Sequence, residues 1–326
     1  MKKTLIATTA AVAMGASVFT APAANAAEVT LKLVTMLPLS TPIGRTFNGF
    51  MKRLNAEMKG EFQIDHRGGP EVIKQFKQPN AVRLGSVDMT LTSPSYANGI
   101  LNVSGTANYS NKQYAEIKAT GYHDYMTDLH KAKGLVYIGE LPVSQLRFHI
   151  FLKEPISKLE DFKGLKIRVF PAIRPAMAAL GANPVVLPMP AIYTSMERGV
   201  VQGFVTGVSG VAEQYKGVVG AYVEPGFYRA TFHFLANPKS WAKVPAATQA
   251  KVINFVRNAD PATYEASWNA NLKAGYETIK KEGIKKVEFT GAEREKFLQL
   301  VNQAPWMDIK KKAPMEAEKL QMMLMK

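Results

Sequence analysis

The chain has 326 residues, a formal net charge of +15 from 41 Lys and Arg against 26 Asp and Glu, and no cysteine. That length suits two domains or one large one, held together by apolar cores rather than disulfides. Thiolate catalysis and cysteine metal sites are excluded. The lysines are spread along the chain, with no arm or aromatic-interleaved stripe, which argues for a solvated basic surface and no nucleic-acid partner.

The chain opens with Lys2 and Lys3, runs through an apolar, alanine-rich stretch and reaches Ala24-Asn25-Ala26. This is the pattern of a secretory signal peptide cut after Ala26. Thr8, Thr9, Ser17 and Thr20 dilute the stretch as a membrane anchor. Removing 26 of the 326 residues leaves 300, and losing Lys2 and Lys3 lowers the charge from +15 to +13. The expected address is the periplasm.

"EVTLKLVTM" at 28–36 reads as a strand. A helix follows, capped by Thr41, with Pro42 in its first turn, a stripe of Phe47, Phe50, Met51, Leu54 and Met58, and a stop at Gly60. "EFQIDHRGG" is the next strand and turn, Val72 to Leu84 a helix ended by Gly85, and "VDMTLTS" a third strand. Strand–helix alternation of this kind predicts an α/β domain with a largely parallel sheet.

The pattern restarts after a helical stretch near Tyr114 to Lys131. "LVYIGEL" and "SQLRFHIFL" read as two strands, the second with Gln145, Arg147 and His149 on its polar face. "KGLKIRVF" is another strand. Helices near Arg174 to Leu180 and Pro190 to Arg198 are stopped by Gly181 and Gly199, with "NPVVLP" between them, and "VVQGFV" closes the set. Ala246 to Lys281 is mostly helical with a kink at Asp260-Pro261, and the remainder is helical and Met-rich.

Recognisable catalytic or metal motifs are missing. His66, His123, His130, His149 and His233 are scattered, "GVSG" at 207–210 is followed by Val211 rather than glycine, and no phosphate-binding loop occurs. The expectation is a protein that is not an enzyme and carries no cofactor or metal.

Within "KGLKIRVF", Leu165, Ile167 and Val169 alternate with Lys166, Arg168 and Phe170. An arginine on the far face of a buried strand reaches solvent or pairs with a carboxylate. Glu160 and Asp161 are the internal candidates; the other carboxylate is one brought from outside.

"KGLKIRVF", "LGANPVVLPMPAIYTSMERGVVQGF" and "AVRLGSVDM" together resemble the solute-binding subunits of tripartite ATP-independent periplasmic (TRAP) transporters, the DctP-like family. The resemblance implies a two-domain α/β periplasmic-binding-protein fold with an interdomain cleft, crossing strands and a long hinge-spanning helix. It implies one domain of 27–144 with about 234–290 and another of 145–233 with about 291–326. It further implies a monomer that closes on its solute and docks on small and large membrane subunits. The arginine that holds the substrate carboxylate falls on Arg168, and a second family arginine on Arg147.

Other pocket positions of that family fall on Met36, Ser93, Met189 and Thr206, with Phe170 and Tyr96 nearby, and a family glutamate is replaced by Val205. Few polar partners remain for hydroxyls, each of which costs about 1–3 kcal/mol when buried unpaired. The expected solute is an organic acid with an apolar or aromatic body. A C4-type dicarboxylate, or service to an ABC importer or a sensor, is the alternative.

Overall fold

The computed structural model describes residues 27–325. Residues 1–26, expected to be a signal peptide, lie outside the described residues. Among the described residues ten strands occur: β1 Val29–Thr35, β2 Phe62–His66, β3 Met89–Thr92, β4 Val136–Leu152, β5 Lys166–Val169, β6 Asn183–Val186, β7 Gly203–Gly207, β8 Ala221–Glu224, β9 Tyr228–Ala236 and β10 Lys285–Glu288. Their order is β2-β1-β3-β9-β4-β7-β5-β6, with β8 joining β4 to β10.

Two parallel groups sit at the ends of this order. β1 pairs with β2 and β3, and β5 pairs with β6 and β7, all in parallel. Each group is covered by helices and forms a lobe. β4 and β9 are antiparallel to each other and run through both lobes: β4 pairs with β9 from Val136 to Phe148 and with β7 from Phe148 to Leu152.

The expected helix caps are present. The Thr41 hydroxyl accepts from the Gly44 N–H at 3.0 Å to open the helix Pro42–Glu57. Its stripe of Phe47, Phe50, Met51, Leu54 and Met58 is buried. Gly85, Gly181 and Gly199 adopt left-handed backbone at the predicted stops, the conformation glycine enters most cheaply.

Four strands, β4, β8, β9 and β10, depart from the sequence expectation. "LVYIGEL" and "SQLRFHIFL" are one strand of 17 residues, because no glycine, asparagine or aspartate between them makes a turn. A register shift between Val143 and Arg147 takes up the irregularity instead, and the Glu265 carboxylate accepts from the Ser144 N–H there at 2.9 Å. β8 and β9 went unread. Every residue of β9 is buried, so Arg229, Thr231 and His233 interrupt its apolar run and no alternation appears. β10 also went unread; its pairing with β8 places Lys285–Glu288 in the sheet.

The kink at Asp260-Pro261 is a π-helical turn, Phe255–Ala259, before the helix Pro261–Lys281. Arg53 grips the Asp260 carboxylate with two N–H groups at 2.6 and 2.8 Å, tying the kink to the first helix. The 21-residue helix then lies along both lobes. Near its start Tyr264 meets Thr46, with their hydroxyl oxygens 3.1 Å apart, and further on Gly275 lies against the Val208 backbone.

Candidate functional site

In open α/β sheets, ligands bind beyond the carboxyl ends of parallel strands. Here two sets of such ends face each other. Met36 follows β1, Ser93 and Tyr96 follow β3, Phe170 follows β5, Met189 follows β6, and Thr206 lies near the end of β7. With Arg168 on β5, these residues wall one cavity between the lobes. It is narrow, about 20 Å³, room for little more than one water.

Arg168 is only 1% exposed, so it does not reach solvent. Its Nε–H donates to the Leu187 carbonyl at 2.7 Å and an Nη1–H to the Val205 carbonyl at 3.3 Å. Nη2 has no partner. Both internal candidates are engaged elsewhere: Glu160 pairs with Lys296 at 3.4 Å, and Asp161 accepts from the Ser157 and Lys158 N–H groups. Among the described residues, no carboxylate pairs with Arg168.

Burial pulls the Arg168 pKa below its ordinary value, and the nearby Tyr96 and Tyr215 hydroxyls act in the opposite direction. Burial also pushes Tyr96 up to about 12, against the pull of Arg168, so this tyrosine is a neutral hydrogen-bonding group in any ordinary buffer. The guanidinium keeps its charge.

Seven of the eight sequence-predicted positions thus converge. The eighth, Arg147, is not among the residues lining this cavity. It is half-buried on β4 directly across the ladder from Arg229 on β9, and burial, followed by that like charge, lowers its pKa. Arg229 points elsewhere, donating to the Ala107 carbonyl at 2.9 Å and to the Lys112 carbonyl.

The sequence reading missed several wall residues. Tyr228, Ala230, Thr231 and Phe232 come from β9, Asn108 from a short 3-10 turn, and Phe148 from β4. Asn108 is fixed by donating to the Arg229 carbonyl at 2.6 Å. The one available signal was Phe148, next to His149, the ladder partner of Thr206.

A second cavity of about 200 Å³ adjoins the first and shares Ile43, Phe148, Met189 and Thr206 with it. Leu37, Pro38, Leu146, Val211 and Trp268 make its remaining wall largely apolar. A cationic fork beside an apolar chamber, both set between two lobes, is the arrangement of a solute-binding protein.

Comparison with known proteins agrees with that class. Residues 33–309 match the DctP family, bacterial extracellular solute-binding protein family 7, and the chain belongs to it. A solute-binding protein of Roseobacter denitrificans is 24% identical over 250 residues, covering 73% of this chain and 75% of that one. A TRAP periplasmic solute-binding protein of Desulfovibrio salexigens, solved with bound orotic acid, superposes with a TM-score of 0.80 at 19% identity, covering 89% and 96% of the two chains. An extracytoplasmic solute receptor of Bordetella pertussis, solved with pyroglutamic acid, gives 0.79 at 17% identity, with 91% and 100% covered. Among the described residues no helix is long and apolar enough to cross a membrane.

Proposed function

We propose that the chain is the periplasmic receptor of a TRAP transporter and captures an organic acid whose carboxylate seats on Arg168. The observation that carries this is a buried guanidinium with no carboxylate partner among the described residues and with donors left over beside a cavity. Two of its five N–H groups are used, which leaves enough for a two-point carboxylate contact. Ser93, Tyr96 and Thr206 supply the polar rim, while Met36, Met189 and Phe170 supply apolar wall.

The body of the acid fits the adjoining 200 Å³ chamber. A 150 Å³ apolar cavity accepts benzene, so a phenyl or branched alkyl group is the right scale. Burial there yields about 25 cal/mol per Å² removed from water. A sugar acid would bring several hydroxyls to a largely apolar wall whose polar side chains are few, Thr41, Ser209 and Gln214 among them. That relatives of this fold hold orotic and pyroglutamic acids, and others galacturonate and gulonate, supports an acid as solute; the compact apolar body rests on the chamber wall alone. Arg147, set back from the cavity, contributes positive potential rather than contact.

In this reading the signal peptide is removed after Ala26, the monomer closes on its solute without turning it over, and the loaded form is handed to the small and large membrane subunits. The chain divides into 27–144 with about 234–290 and 145–233 with about 291–326. The pairing of β10 with β8 favours moving Lys285–Glu288 to the second body.

A thermal-shift screen of aryl, branched-chain, dicarboxylic and sugar acids, followed by calorimetry, tests the proposal. Tight binding of an aryl or branched monocarboxylate is expected. Tight binding of hexuronic acids alone would refute it.

A further inference from the structure

Gln75, in the 3-10 turn Gln75–Lys77 between β2 and β3, is only 2% exposed and touches both lobes with one side chain. Its Nε2–H donates to the Met36 carbonyl at 2.7 Å, and its Oε1 accepts from the Met189 N–H at 3.0 Å. Met36 follows β1 in one lobe and Met189 follows β6 in the other. Both methionines wall the Arg168 cavity. One amide therefore ties together the two backbones that border the cavity.

We propose that Gln75 is a latch that holds the lobes closed over the cavity. The inference rests on reading that cavity as the solute site, though the latch itself needs no solute contact. Its physical basis is an asymmetry between the two states. With the lobes apart, water satisfies the Met189 N–H and the Met36 carbonyl whatever residue stands at 75. With the lobes together the Met36 carbonyl is buried and the Met189 N–H is partly buried, and a side chain with a donor and an acceptor at the right reach satisfies both. A glutamine at 75 thus stabilises the closed state selectively, and a residue lacking the amide penalises that state alone. Gln75 is a positioning residue in this scheme, not one that recognises the anion.

The absence of cysteine lets a label pair be placed cleanly. Leu84 and Val200 are exposed, one on each lobe. Spin labels at Leu84→Cys and Val200→Cys report the lobe separation by pulsed electron resonance, with and without phenylacetate, benzoate or malate as probes. Gln75→Met, similar in size but without the amide, is expected to lower the closed-to-open ratio by up to about tenfold, the effect of losing the one hydrogen bond that crosses between the lobes, to the Met189 N–H. The dissociation of any acid that binds should quicken by a similar factor. Gln75→Asn keeps the amide but is one methylene too short to span the gap, and it repeats the test should the methionine variant melt early.

A parent protein with no short-distance component under any condition would overturn the latch, as would variants whose distance distributions match the parent's. Failure of the functional reading looks different: Arg168→Gln would leave acid binding intact while Gln75→Met still shifted the distances.

Discussion

The Arg168 Nε–H donates to the Leu187 carbonyl at 2.7 Å, and this bond decides which part of the guanidinium is left for a ligand. A carboxylate can approach a guanidinium side-on, across Nε and one Nη, or end-on, across both Nη atoms. With Nε held by Leu187 the end-on approach remains, and it includes the unpartnered Nη2. Arg168→Lys loses the Leu187 anchor and the planar fork together. Removing one partner of a buried charged pair costs about 2–5 kcal/mol, roughly thirtyfold to several-thousandfold in affinity. Calorimetry on the lysine variant is expected to show a loss in that range, and near-normal affinity would contradict the two-point contact.

Arg147 offers the matched control. It stands across the strand ladder from Arg229 and away from the cavity wall, so it acts on an incoming anion through space. Such an effect is screened by salt, with a Debye length of about 8 Å at 0.15 M. Arg147→Gln is expected to slow association severalfold at low salt, and to leave affinity within about threefold at 0.15 M salt. Stopped-flow binding at two ionic strengths measures this. A loss as large as that of Arg168→Gln would place Arg147 in contact with the solute.

These two arginines mark how far the sequence could be read. Arg168 was legible because a permanent charge in the middle of an apolar strand demands a partner, and with Ile167, Arg168 and Val169 all buried it has no route to water. Met36, Ser93 and Met189 were legible because each follows a recognisable strand. Tyr228 and Thr231 were not, since β9 is buried on both faces and carries polar residues at sealed positions. Arg147 shares the polar face of its strand with His149, and sequence cannot say which of them turns toward the cleft. The role of Gln75 was hidden as well, because its two partners are backbone groups 39 and 114 positions away.

A buried acid gives a prediction about pH. Glu140 on β4 is fully buried beside His233 on β9, with Nε2 and a carboxylate oxygen 4.0 Å apart and neither Glu140 oxygen hydrogen-bonded. Burial raises its pKa to about 7, against the pull of Arg229 and with a further push from Glu265. Between the unfolded value near 4.5 and about 7, the folded chain holds a proton on Glu140 that the unfolded chain has released. Stability from this group is therefore present at low pH and lost as pH rises through that window. Burial lowers His123 to about 3 and His130 to about 4, so both stay neutral in the fold and contribute in the opposite sense, adding stability as pH rises toward 6.5.

Glu140→Gln removes the acid without altering the histidines. Its stability relative to the parent should grow between pH 4.5 and 7.5, by at most about 3 kcal/mol if the full shift is realised. Urea unfolding at several pH values follows the difference. A constant offset across the range would show that Glu140 titrates normally.

Two glycines in helices should respond oppositely to the same change. A glycine inside a helix costs about 1 kcal/mol relative to alanine, so propensity alone favours Gly→Ala at both Gly49 and Gly275. At Gly49 the nearest atom to an added Cβ is Arg53 Nη1 at 3.4 Å, the near edge of ordinary contact, and no backbone atom lies close. Gly49→Ala is therefore expected to stabilise by about 0.5–1 kcal/mol. At Gly275 an added Cβ would lie 2.7 Å from the Val208 carbonyl oxygen and 3.0 Å from its carbon. Backbone cannot move aside as a side chain does, so the long helix must lift from the second lobe, at about 1–3 kcal/mol. Ser209, next in sequence, lines the larger cavity, so the shift reaches the binding region. Gly275→Ala should lower the melting temperature and weaken acid binding together, while Gly49→Ala raises the first and leaves the second unchanged. Equal melting shifts of the same sign in the two variants would mean that the helix does not press on Val208 as the geometry requires.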